Sequence, residues 1–201
     1  AINADRRRAD ALHFRGLTKF SINEFEGATE DLSRAISIDP SHAYYAARAR
    51  VRLAAGEYEA AIADFTAALE SEETADYFEG RAEAQFHLEQ FESALEDISS
   101  AIEIQERANY YVSRAATYTA LEQYEEAIED LDDAIELHEL PEYLARRARL
   151  RGRTGDYDGA IADATRALEL ETESEYFAIR ATAKRNLDQY SDAVDDLTEA
   201  I

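Results

Sequence analysis

Apolar residues recur along this chain at steps of three and four, which is the spacing of one face of an α-helix. Tyr45, Ala49 and Leu53 follow these steps, and after a polar interruption Ala61 and Phe65 continue them on a second segment. Nowhere does an alternation of period two persist, so the pattern offers no strand candidate. The pattern therefore predicts an all-α chain built from pairs of helices of about thirteen residues each.

A polar break separates the two helices of each pair, and its residue types favour a left-handed helix end. Gly56 suits that conformation because it has no Cβ. The equivalent slot in the other pairs is occupied by Asn23, Glu89, Glu122, Gly155 and Asp188. Asparagine, glycine and aspartate tolerate the left-handed region better than glutamate does. Pro40 and Pro141 fall between pairs, where a helix must end or begin.

The whole pattern returns every 33 residues. An aromatic residue precedes an alanine by three positions at Phe25/Ala28, Tyr58/Ala61, Phe91/Ala94, Tyr124/Ala127, Tyr157/Ala160 and Tyr190/Ala193. The predicted repeats are about 9–41, 42–74, 75–107, 108–140, 141–173 and 174–201, and they form a single domain over 1–201. Each repeat is too small to bury its apolar face alone, so neighbouring repeats are expected to stack.

These residues resemble the tetratricopeptide repeat family over essentially the whole chain. The first helix of each repeat carries a large apolar residue followed by a small one, and the aromatic-x-x-alanine motif opens the second. The resemblance implies a right-handed α-α superhelical solenoid of six helical hairpins, whose first helices line a concave surface that binds peptides. Two features depart from the family: the period is 33 residues rather than about 34, and arginine replaces the leucine that often precedes the small residue.

That arginine recurs with a partner aspartate 16 residues later. The two sets are Arg15, Arg48, Arg81, Arg114, Arg147 and Arg180, with Asp31, Asp64, Asp97, Asp130, Asp163 and Asp196. Both members lie eight residues from the hairpin turn, so they stand at equal height on antiparallel arms. Each of the first five aspartates is also 17 residues before the next arginine, so pairing with the following repeat is the alternative. Sixfold recurrence without a nearby nucleophile favours a structural role.

Composition narrows the range of partners. With 44 acidic and 21 basic residues the formal net charge is −23, which repels nucleic acid and anionic membranes. Only Lys19 and Lys184 are lysines, a balance that resembles proteins adapted to high salt, with an arginine-favouring genome as the alternative. No apolar run approaches the roughly 18 residues of a membrane span. The expected location is cytoplasmic, unless the chain belongs to a longer protein.

Candidate catalytic and metal-binding residues form no recognisable constellation. The four histidines are far apart and fit no ligand spacing: His13, His42, His87 and His138. The absence of cysteine excludes disulfides and thiolate metal sites. The sequence therefore predicts neither an enzyme nor a cofactor.

Partner specificity is expected in first-helix residues that avoid the packing face. In the third repeat these are Asp76, Glu79, Glu83 and His87, in the fifth Glu142, Arg146, Arg149 and Arg153, and in the sixth Glu175 and Arg185. Arg146, Arg149 and Arg153 share one helix face and are expected to bind an acidic segment or a C-terminal carboxylate. Alternatively, Glu142 and Glu175 neutralise them as ordinary surface pairs.

The chaperone-binding clamp known in the resembled family is absent, because its places hold His13, Leu17, Ala47, Asp76 and Gly80. The leading hypothesis is a non-catalytic scaffold that binds an extended protein segment. One alternative is a self-association module, since the last repeat presents an apolar end at Ile201 without a polar capping helix. The other is a regulatory segment of a larger enzyme or sensor protein.

Overall fold

The computed structural model describes the backbone of residues 2–201 and the side chains from residue 4 onward. Within that range the chain forms twelve α-helices and no strand. In chain order they are α1 (Ile2–Ser21), α2 (Phe25–Ile38), α3 (His42–Ala54), α4 (Tyr58–Leu69), α5 (Ala75–His87), α6 (Phe91–Ile104), α7 (Ala108–Ala120), α8 (Tyr124–Leu137), α9 (Pro141–Thr154), α10 (Tyr157–Leu170), α11 (Ser174–Asn186) and α12 (Tyr190–Glu199). Consecutive helices pack as six hairpins, which confirms the predicted all-α class.

Each hairpin turns through one residue in the left-handed region. These residues are Asn23, Gly56, Glu89, Glu122, Gly155 and Asp188. At the second turn the Gly56 amide donates to the Leu53 carbonyl at 3.0 Å, and the Glu57 amide donates to the Arg52 carbonyl at 2.8 Å. This Schellman arrangement satisfies carbonyls that the helix end leaves open. The left-handed slot predicted from the sequence is confirmed, including the two positions where glutamate occupies it.

The helices cluster into two compact units, the first ending at Glu106 and the second beginning at Arg107. In the first unit, α2 packs on α3 and α4 on α5, and α3 also contacts both α1 and α5. In the second unit, α8 packs on α9 and α10 on α11, and α9 also contacts α11. The first helices α1, α3 and α5 therefore lie side by side in the first unit, and α9 and α11 do so in the second.

Small residues set the distance between packed helices. The alanine of the repeated motif is at most 5% exposed in every hairpin: Ala28, Ala61, Ala94, Ala127, Ala160 and Ala193. Gly80 on α5 lies directly over the ring of Phe65 from α4, and a Cβ added there would stand 2.4 Å from Phe65 Cζ. Glycine at this position lets α5 pack directly on that ring, because a Cβ there would force the ring to move.

Candidate functional site

The repeated arginines and aspartates form two-pronged ion pairs within their own hairpins. Arg48 donates from Nε to Asp64 Oδ2 at 2.8 Å and from Nη2 to Oδ1 at 2.7 Å. The six pairs are Arg15–Asp31, Arg48–Asp64, Arg81–Asp97, Arg114–Asp130, Arg147–Asp163 and Arg180–Asp196. Of the two pairings left open by the sequence, the structure has the one inside the hairpin. The aspartates are buried, so these pairs belong to the framework rather than to a binding surface.

The remaining guanidinium nitrogen of four arginines reaches the second helix of the preceding hairpin. The acceptors are Ser33 for Arg48, Thr66 for Arg81, Asp132 for Arg147 and Thr165 for Arg180, at 2.5–3.2 Å. A planar guanidinium presents several donors in fixed directions, which allows it to serve two helices at once. Each of these arginines therefore joins its own hairpin to the previous one within its unit.

A second cation binds the aspartate in four hairpins, and sequence reasoning missed it. Lys19, Arg52, Arg151 and Lys184 lie 2.7–2.9 Å from Asp31, Asp64, Asp163 and Asp196 respectively. Each follows the repeated arginine by four residues, so both cations stand on the same helix face. The signal was present in the sequence, but Gln85 and Tyr118 interrupt it in the third and fourth hairpins.

The pKa values of two of the buried aspartates are shifted in opposite directions. The hydrogen bond from Arg15 has the largest effect on the pKa of Asp31, and together with Lys19 it lowers this pKa from 3.8 to about 2 against the opposing effect of burial. Burial raises the pKa of Asp130 above its ordinary value, because it outweighs the hydrogen bond from Arg114. The stabilisation from Asp31 is therefore lost as pH falls from 3.8 towards 2. Because folding favours the protonated form of Asp130, the contribution of this group to the free energy of unfolding falls as pH rises.

A basic surface lies on α9 in the second unit. Arg146, Arg149 and Arg153 together line a hollow of about 260 Å³ between α7 and α9. Arg149 and Arg153 also line a second hollow of about 430 Å³ between α9 and α11. Arg185 is exposed on α11 and lines neither of these two hollows. The structure thus brings three of the four predicted basic residues onto one surface.

The three arginines of α9 differ in their surroundings. Arg149 forms an exposed ion pair with Glu175 of α11. Arg153 Nη1 donates to the Tyr124 hydroxyl at 3.1 Å, and its guanidinium lies 5.5 Å from the centre of that ring. In the part of the chain that the structure describes, Arg146 has neither a hydrogen bond nor an ion pair. Glu175 therefore neutralises one arginine, whereas Arg146 stays available to a ligand.

The predicted residues of the third hairpin lie on α5 in the first unit and differ in their neighbours. Asp76 lies 3.9 Å from Arg50 of α3. The His87 ring stacks on Tyr58, with ring centres 4.5 Å apart. Glu83 is exposed and Glu79 is half-buried. These residues add no basic group that would attract a carboxylate.

The described residues offer little other chemistry. Among them no group of three or more His, Cys, Asp or Glu side chains is placed to hold a metal ion. None of the described helices has both the length and the apolar character that crossing a bilayer requires.

Comparison with known proteins relates two segments of the chain to a repeat family. A tetratricopeptide repeat family model matches residues 9–42 and 108–139. No curated protein matches the chain in sequence. These two matched segments cover α1–α2 and α7–α8, one hairpin in each unit.

Solved structures match over most of the chain. A tetratricopeptide repeat protein from Parabacteroides merdae is 20% identical with a TM-score of 0.80, over 96% of this chain and 78% of that one. The protein pilF of Pseudomonas aeruginosa is 18% identical with a TM-score of 0.78, over 96% and 90%. YrrB, a TPR protein with an unusual peptide-binding site, is 21% identical with a TM-score of 0.73, over 86% and 92%. At these identities the likeness concerns the fold.

Proposed function

Because the chain carries tetratricopeptide repeats, we propose that it is a non-catalytic scaffold that binds an extended, carboxylate-bearing segment of a partner protein. The proposed binding surface is the face shared by α7, α9 and α11. The observation that carries the proposal is the exposed row of Arg146, Arg149 and Arg153 beside two hollows, in a chain with a net charge of −23. YrrB, which shares this fold, has a peptide-binding site.

The state of the arginines supports a role in binding. Both side chains of the Arg149–Glu175 pair are exposed, Arg149 by 43% and Glu175 by 63%. Exposed pairs of this kind contribute about 0–1 kcal/mol, so a partner carboxylate can replace Glu175 at low cost. Tyr124 holds the Arg153 guanidinium in place through its ring and hydroxyl. A preplaced cation loses less conformational entropy when a ligand binds.

The test is a titration of the fluorescein-labelled peptide GELEPLEG, followed by fluorescence anisotropy. The triple substitution Arg146→Ala, Arg149→Ala, Arg153→Ala is expected to weaken binding by about tenfold or more, since each charged contact contributes up to about 1 kcal/mol. The matched control removes Arg7, Arg8 and Arg50 of the first unit, which changes the net charge equally. Equal affinities of the α9 variant and the wild type would contradict the proposal, and so would an equal loss in the control.

Self-association is a second candidate, favoured by the surface of α12. Tyr190, Val194 and Leu197 are 60%, 61% and 49% exposed and lie on one helix face. The equivalent Tyr157 and Ile161 of α10 are covered by packing within the second unit. Sedimentation velocity over a range of concentrations tests this candidate. A concentration-dependent dimer that Val194→Glu abolishes supports self-association, whereas a monomer at all concentrations rules it out.

A further inference from the structure

We infer that the α7, α9 and α11 surface recognises a short pattern: two apolar side chains three residues apart on a polyproline II segment, with a carboxylate between them. This inference rests on the proposed function and names the class of segment that the surface selects. It is carried by the two hollows, by the arginine that separates them, and by the spacing that packed helices generally have.

Both hollows have apolar floors. Ala115, Leu131 and Leu150 line the hollow between α7 and α9, and all three are buried. Ala148 and Ala183, also buried, line the hollow between α9 and α11 together with half-buried Ile179. A partner side chain that leaves water for either hollow gains about 25 cal/mol for each Å² of apolar surface that it buries. Each hollow is therefore suited to an aliphatic side chain.

One repeat position accounts for the shape of this surface. Ala116, Arg149 and Thr182 occupy equivalent places on α7, α9 and α11, at intervals of 33 residues. The small side chains of Ala116 and Thr182 leave space on either side of α9, and Arg149 stands between the hollows and lines both. Two apolar sites with a cation between them result from this order of small, large and small residues.

The spacing of the hollows selects the backbone conformation of the ligand. They lie on opposite sides of α9, and packed helices are about 8–10 Å apart. A polyproline II segment rises about 3.1 Å per residue with three residues per turn, so side chains i and i+3 share one face about 9.3 Å apart. A β-strand places side chains on one face about 6.7 or 13 Å apart, which suits the spacing less well. The helices of this surface also offer no strand edge for pairing.

The arginines of α9 favour a carboxylate between the two apolar side chains of the ligand. Arg149 and Arg153 line both hollows, so a carboxylate at i+1 or i+2 lies within reach of either guanidinium. Arg146 lines only the hollow between α7 and α9, where a carboxylate outside the apolar pair can bind it. The pattern is thus an acidic residue between two aliphatic ones, with further acidic residues beside them.

Three isomeric peptides test the spacing at constant composition and charge. In GELEPLEG the leucines are at i and i+3, in GELELPEG at i and i+2, and in GELEPELG at i and i+4. We expect the first to bind the full chain about tenfold tighter than the other two, because only it places both leucines in the hollows. Equal affinities of all three isomers, still abolished by the α9 triple substitution, would overturn this inference and leave the proposed function standing. If none of the three peptides bound, both this inference and the proposed function would be overturned.

Substitutions that fill the hollows provide the second arm. Ala116→Leu and Thr182→Leu each place a larger side chain in one hollow, and the Thr182 hydroxyl donates only to a carbonyl of its own helix. The control is Ser93→Leu, which places the same side chain at an exposed neutral position of α6 in the first unit. Each filling variant is expected to reduce the affinity for GELEPLEG about tenfold, to the level of the isomers, while the control leaves it unchanged. Unchanged affinity in correctly folded filling variants, judged by circular dichroism, would refute the two-hollow assignment.

Discussion

Helices α5 and α9 occupy equivalent places in two hairpins 66 residues apart, and they carry opposite chemistry on their exposed faces. Glu83 of α5 corresponds to Arg149 of α9, and His87 corresponds to Arg153. His87 stacks on Tyr58 in the same way that Arg153 lies over Tyr124. The aromatic support is shared, and the two faces differ in the charge of the side chains at equivalent places.

The Arg–Asp pair that joins each helix to its hairpin partner is common to α5 and α9. Arg81 and Arg147 each bind the aspartate of their own hairpin through two nitrogens. Residues that repeat therefore hold the hairpins together, and residues that vary decide what each unit presents to a partner.

Removal of a buried aspartate is expected to have the largest effect. Asp97→Ala leaves the Arg81 guanidinium, whose side chain is 19% exposed, without its carboxylate, and loss of one partner of a buried pair costs about 3–5 kcal/mol. Asp163→Ala should cost a similar amount: it removes the carboxylate that binds both Arg147 and Arg151, but Asp132 still binds Arg147 and Asp156 lies 3.6 Å from Arg151. Thermal denaturation is the measurement, with exposed Glu125→Ala as the control. A melting temperature for Asp97→Ala equal to that of the control would mean that the pair does not stabilise the fold.

The Arg–Asp pairs show which features of the fold can be predicted from the sequence and which cannot. Period, helix ends and the recurrence of the pair all follow from repeated positions. The choice between the two pairings does not, because the aspartate is at nearly the same height from both arginines and side-chain direction decides it. The second cation was missed because it is absent from two of the six repeats.

The proposed binding surface could be predicted only in part from the sequence. Helical spacing was sufficient to place Arg146, Arg149 and Arg153 on one face. The hollows depend on what the neighbouring helices lack, namely large side chains at Ala116 and Thr182, and that requires the packing of α7 and α11 beside α9. The partner of Arg149 likewise depends on its side-chain conformation: Glu175 binds it, whereas Glu142 binds none of the three arginines.

Packing beneath the helices provides the next test, because Gly80 of α5 corresponds to Arg146 of α9. Gly80→Ala places a Cβ 2.4 Å from Phe65 Cζ, and such overpacking costs about 1–3 kcal/mol. At the equivalent of Phe65 the second unit has the shorter Leu131, which accommodates Arg146. Phe65→Leu should therefore restore stability to the Gly80→Ala protein. Denaturant unfolding of the single and double variants measures this, and a purely additive loss would contradict direct contact as the cause.

Transfer of the second cation from α9 to α5 should have a smaller effect. Gln85 of α5 corresponds to Arg151 of α9, and its buried Oε1 has no hydrogen-bond partner. Gln85→Arg is expected to stabilise the chain by about 1 kcal/mol, because the new guanidinium can bind Asp97 and the unpaired carbonyl is removed. Arg151→Gln should destabilise by a similar amount. A fall in the urea midpoint of Gln85→Arg would show that α5 cannot accept the side chain that α9 holds.

The smallest expected effect concerns the ion pair on the binding surface. Glu175→Gln removes the charge that neutralises Arg149 while keeping nearly the same shape. An exposed pair contributes about 0.2–1 kcal/mol, so its release should strengthen binding of GELEPLEG by up to about fivefold. Asp76→Asn is the matched control, because Asp76 holds the equivalent place on α5 and lies near Arg50 in the first unit. It should leave peptide affinity unchanged. If Glu175→Gln instead weakened binding, Glu175 would be a support for Arg149 rather than a competitor of the ligand, and the basic face of α9 would need its acidic neighbour to bind.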